Sequence, residues 1–141
     1  MLNKITSKSA LLSTAIAVDG ILFAGFGLVS WIAPLETFGT IIDMSGIDDR
    51  SLTHAILASL SLFYAMIGFL CFVAASTTTP YKLLFAAVLA IGHIFVAIKG
   101  YNEIDQMWLI GDPWADIIIH SIFISVYICL IASSLIRRAP N

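Results

Sequence analysis

The sequence predicts an all-α integral membrane protein, an antiparallel four-helix bundle with both termini cytoplasmic, and three observations carry that reading. Hydrophobic residues fill 60% of the 141 positions and charged residues only 11%, against a charged share of about 25% in soluble domains. The apolar residues fall into four runs, Leu11 to Ile32, Leu52 to Ala75, Leu83 to Tyr101 and Trp114 to Ile136. Each is near the roughly 20 residues that cross about 30 Å of hydrocarbon. The charges are sorted between the two sides. Lys4, Lys8, Lys82, Arg137 and Arg138 share one side, while Glu36, Asp43, Asp48, Asp49, Glu103, Asp105, Asp112 and Asp116 lie towards the other with Arg50 and Lys99. Because Lys and Arg are retained in the cytoplasm, the basic side is expected inside. Residues 1–141 then form one domain in the cell inner (plasma) membrane, with the lipid bilayer as its first partner. A basic patch of the kind that binds nucleic acid is absent from the sequence.

Span one follows Lys4 and Lys8, and Ala15-Ile16-Ala17 imitates a signal-peptide cleavage site. The apolar pattern continues to Ile32, too far for a signal sequence, so the span is expected to be retained. Small residues recur along it at Ser13, Ala17, Gly20, Ala24 and Gly27. Such stripes mark the face where membrane helices approach closely. Pro34 is expected to stop this helix. The segment after it, with Leu35, Phe38, Ile41 and Ile42, suits an amphipathic surface helix able to lid the bundle.

Asp48 or Asp49, with Ser51, supplies N-capping material for span two. Its stripe is His54, Ala58, Ser61, Ala65 and Gly68, and that of span three is Ala86, Ala90, His93, Ala97 and Gly100. Both histidines are therefore expected to face inward. Ser76-Thr77-Thr78-Thr79-Pro80 is a short inner connection with Pro80 at a helix start. The second outer loop is acidic, and Trp108 and Trp114 suit interfacial anchors.

Span four places Asp116, His120, Phe123, Tyr127, Leu130 and Ser134 on one face and Ser121, Ser125, Cys129 and Ser133 on another. The first face is the costlier in lipid and is expected inside. Cys71 and Cys129 form no CxxC pair, so both are expected as free thiols.

Ionisable residues inside apolar spans are the best pointers to function, because charge in hydrocarbon is expensive. Those at issue are Asp19, His54, His93 and His120, with Asp116 near the boundary and the phenol of Tyr127. Counted from the outer span ends, His93 lies about 12 Å deep and His120 about 9 Å deep. They are expected in one layer of a polar vestibule, with His54 at its rim and Asp19 apart and deeper.

Three uses of this vestibule remain open. It can bind a lipophilic small molecule such as a quinone, with His54, His93, His120 and Tyr127 orienting the ligand among aromatic residues. Alternatively, His93 and His120 can ligate a metal or the iron of a b-type haem, giving a small membrane cytochrome. Finally, Asp19, or Asp116 with His120, can serve as acid and base in an enzyme acting on a lipophilic substrate. Whether the chain is an enzyme is not legible from these residues.

Gly25-Phe26-Gly27 and Trp31-Ile32-Ala33-Pro34 at the end of span one, a surface loop, and a small-rich second span with Gly68 resemble the DoxX-like superfamily of small four-span membrane proteins. The resemblance implies a four-span fold and a role as an accessory subunit linked to quinol or thiosulfate oxidation. It carries over no site residue. The expectation is an accessory or quinone-linked membrane subunit with an outer-half polar pocket for a lipophilic small molecule, and with partner subunits or further copies of itself.

Overall fold

The computed structural model describes residues 2–46, 49–102, 104 and 113–136, without the side chains of residues 2–8 and 113. Among the described residues five helices follow in order: α1 (Leu2–Ile32), α2 (Pro34–Phe38), α3 (Arg50–Ser76), α4 (Thr79–Asn102) and α5 (Pro113–Leu135). All but α2 are long and apolar enough to cross a membrane. Arg137, Arg138, Asp48, Glu103, Asp105, Trp108 and Asp112 lie outside the described residues, as do the side chains of Lys4 and Lys8.

The closest packing is between α1 and α3, and small residues make it possible. A Cβ on Gly27 would collide with the Ala65 backbone, and one on Gly68 with that of Ala24. Gly20 meets Gly68, Cys71 and Phe72, whereas Gly27 meets Ser61 and Ala65, so the two helices run in opposite directions. In lipid, such backbone approach brings dispersion contacts that larger side chains would prevent.

The second pair is α4 with α5, where Gly100 lies against Ile117 and His93 faces His120. The two pairs meet through Leu12, Ile16, Cys71, Ala74, Leu83, Ala86, Leu89, Ala90 and Tyr127, which form the buried apolar core. Leu22, Phe69, Leu84, Phe95, Ile118 and Ile128 remain exposed around the outside, as a lipid-facing surface requires. The least covered of the four long helices is α5.

At the end of α1 the chain turns at Ala33, and Pro34 opens α2. Pro34 and Phe38 are buried, Phe38 standing edge-on to Phe26 at 5.5 Å. This short helix therefore folds back onto α1 and α3 through its apolar side. Asp49 caps α3, its Oδ1 accepting from Leu52 N at 2.9 Å. Cys71 is buried, Cys129 is exposed on α5, and both are free thiols.

Candidate functional site

Asp19 is the least expected buried group in the molecule, an acid only 1% exposed on the face of α1 turned towards α4 and α5. Gly20, beside it, lies against α3, so the glycine contact with one helix pair aims the carboxyl at the other. Its Oδ2 accepts from Tyr127 OH at 2.6 Å and lies 3.0 Å from His93 Nε2. Tyr127 OH also lies 3.3 Å from the Ala15 carbonyl oxygen.

His93 continues the line. Its Nδ1 lies 2.6 Å from Nδ1 of His120, and the other nitrogen of His120, Nε2, lies 3.3 Å from Asp116 Oδ1. The result is one unbroken series from Tyr127 through Asp19, His93 and His120 to Asp116. Exposure rises along it, from 1% at Asp19 and 4% at His93 to 16% at His120 and 58% at Asp116. Tyr127 and Asp116 are eleven positions apart on α5, about 16 Å along the helix.

Aromatic rings hold the imidazoles in place. His93 stacks on Phe123 at 4.8 Å with 9° between the planes and lies 6.3 Å from Phe23. Phe23 in turn stacks at 6.1 Å on Tyr64 of α3. An imidazole with both nitrogens bonded and a ring on its face has little rotational freedom, which favours a fixed line of proton donors and acceptors.

The sequence-derived site residues therefore fall into two groups. Asp19, His93, His120, Asp116 and Tyr127 come together, while His54, expected on an inward stripe, is exposed near the start of α3 and outside this series. Asp19 is not isolated below the histidines but bonded to one of them. Depth counted from span ends misplaces it because the C-terminal part of α1 extends further beyond this level than that of α4. Asp19 precedes Ile32 by thirteen residues and His93 precedes Tyr101 by eight, yet they touch, an offset of about 7 Å. Tyr127 is wholly buried as a donor to Asp19 rather than lining an open vestibule.

The bis-histidine haem arrangement does not fit. The two axial imidazoles of a haem iron lie on opposite sides of it and hold their ligating nitrogens about 4 Å apart, at about 2 Å per bond. Here the facing nitrogens touch at 2.6 Å, and the outer two are taken up by Asp19 and Asp116. Among the described residues, no group of three or more His, Cys, Asp or Glu side chains is placed to hold a metal ion.

Cavities lie elsewhere among the described residues. One of about 250 Å³ lies between Leu35, Glu36, Gly39, Met44 and Arg50 at the α2 end. Another of about 350 Å³ is a shallow groove along Ile118, Ser121, Ile122, Ser125 and Val126 of α5. Between α4 and α5, at the level expected for a ligand, the paired imidazoles occupy the space themselves.

Comparison with known proteins finds no matching family model, no matching curated protein and no matching solved structure.

Proposed function

We propose that this chain is a small multi-pass membrane protein that exchanges protons between one membrane surface and the buried carboxyl of Asp19, acting as the proton-handling accessory subunit of a larger membrane assembly. The observation that carries this reading is the unbroken polar series from half-exposed Asp116 to Asp19 and Tyr127. A single hydrogen bond would suffice to fasten two helices. A relay with a wet end and a buried carboxylate at the other is the arrangement general acid-base chemistry uses to reach water from a dry site.

The sorting of Lys and Arg in the sequence favours cytoplasmic termini, and on that reading Asp116 faces the outer side of the membrane. Beyond Tyr127 the apolar core of Leu12, Ile16, Ala74, Leu83 and Ala86 fills the bundle. Access to Asp19 is thus from the outer side. The quinone-linked role suggested by the DoxX-like resemblance is the form of this reading in which oxidation or reduction of a lipophilic partner releases or consumes the proton.

The test is infrared spectroscopy of the protein in oriented proteoliposomes while external pH is stepped between about 4 and 9. A carboxylic C=O band that responds to external pH, disappears in Asp19→Asn and responds more slowly in Asp116→Asn is the expected result. A wild-type spectrum in which no Asp19 band follows external pH overturns the reading.

A further inference from the structure

Three contacts separate the two carboxylates: Asp19 Oδ2 to His93 Nε2, His93 Nδ1 to His120 Nδ1, and His120 Nε2 to Asp116 Oδ1. Each joins two atoms that are both acceptors when unprotonated, so each needs one proton to be attractive. Two neutral imidazoles bring two protons. At 2.6 Å the nitrogen pair in particular cannot be two facing lone pairs, nor two facing N–H groups. The Tyr127 hydroxyl does not supply the missing proton, because its own hydrogen is already given to Asp19.

We propose that the His93–His120 pair is a binding site for one proton beyond those of two neutral imidazoles, held as an imidazolium hydrogen-bonded to an imidazole between Asp19 and Asp116. The inference rests on the proton-exchange reading only for the side from which the proton enters. Three protons then occupy three contacts. With both carboxylates ionised, three of the four ring nitrogens carry hydrogen, and the pair bears one positive charge between two negative ones.

This count gives the relay its step. A proton on Asp19 is equivalent to a neutral histidine pair, with His93 Nδ1–H donating to His120 and His120 Nε2–H donating to ionised Asp116. If each of the three protons crosses its own hydrogen bond, Asp19 ends ionised and Asp116 ends protonated. No ring rotates and no proton is gained or lost within the series, while one unit of charge passes between its ends. The imidazolium pair is the halfway arrangement, balanced by a carboxylate on each side.

Other titratable groups stand near the series among the described residues. From α3, Cys71 lies within electrostatic range of Asp19 and Tyr64 within that of Asp116. Lys99 stands in the last turn of α4, at the Asp116 end. Asp19 is the contribution of α1, and Asp116, His120 and Tyr127 are those of α5.

Solid-state NMR of the full-length protein, ¹⁵N-labelled at histidine and embedded in phospholipid bilayers near pH 7, tests this directly. His54→Gln removes the third histidine from the spectrum. The expected result is hydrogen on three of the four ring nitrogens of His93 and His120, with a scalar coupling between their Nδ1 atoms across the hydrogen bond. Hydrogen on only two of the four, or on all four without a coupling, overturns the inference and leaves the exchange of Asp19 with external protons standing.

Asp116→Asn, at a half-exposed position, is the second arm. It should lower by about one unit the pH at which the third nitrogen loses its proton, because one flanking anion is gone. An unchanged pH for that loss counts against the inference. Should Asp19 fail to follow external pH while the third proton and the coupling are present, the exchange reading falls and the binding site remains.

Discussion

Tyr127 and Asp19 are 108 positions apart in the chain and 2.6 Å apart in space, the phenol donating to a carboxylate oxygen that also faces His93. This one oxygen joins α1 to both α4 and α5. Tyr127→Phe keeps the ring in the core and removes only the donor, so unfolding in detergent should show a loss of about 1 kcal/mol. Asp19→Ala, which strands the phenol and one imidazole nitrogen without a partner, should cost two to three times as much, at roughly 2–3 kcal/mol.

The glycine contact between α1 and α3 predicts a sharp contrast among glycines. Gly68→Val and Gly27→Val drive side chains into the opposing backbone and should each destabilise the fold by about 3 kcal/mol. Gly25→Ala meets nothing within 4 Å and replaces a helical glycine, so it should be neutral or stabilising by up to about 1 kcal/mol. Denaturation midpoints of the three variants provide the comparison.

Thiol labelling reads the same packing from another direction. Cys129 is exposed on α5 while Cys71 is fully enclosed beside Gly20. A membrane-permeant maleimide should modify Cys129 at least about tenfold faster than Cys71, reactivity following access as well as ionisation. Equal rates in the folded protein would contradict the placement of Cys71.

In the connection between α2 and α3, Asp43 Oδ1 accepts the Ser45 backbone N–H at 2.9 Å. That bond, followed by one to the Ser45 side chain, holds the Asp43 carboxyl below its ordinary value of 3.8. A depressed carboxyl favours the ordered turn above its unfolded pKa, and the preference is lost as pH falls through the folded value. The Asp43 carboxyl resonance should therefore titrate below 3.8, and Ser45→Pro, lacking the N–H, should return it upwards.

Much of the architecture was legible because the bilayer imposes a length and a composition on each helix. The structural helix limits Arg50–Ser76 and Thr79–Asn102 lie close to the apolar runs, and Gly20, Ala24, Gly27, Ser61, Ala65 and Gly68 do turn inward. His54 shows where a stripe misleads: it stands about one turn from the start of α3 and is exposed there. The members of the site could be named from the cost of charge in hydrocarbon, but their bonding could not. Whether Asp19 meets His93 depends on how α1 is offset along its axis against α4, which no feature within either span records. His93 and His120 were expected at one level, yet direct contact of their Nδ1 atoms is a matter of helix rotation and side-chain torsion.

The glycine-locked contact of α1 with α3 also has a consequence for the order in which the protein is made. Its two partners are complete once residue 76 has been added, whereas His93 lies 74 positions after Asp19. At about 5–20 residues per second, Asp19 waits roughly 4 to 15 s for its first side-chain partner. Through that interval a helical hairpin can already have closed, leaving the carboxyl side of α1 turned to lipid or to the insertion machinery. An acid at a helix centre costs about 2.5–3.5 kcal/mol on insertion scales, so the nascent hairpin carries its least soluble feature alone until α4 and α5 arrive to cover it.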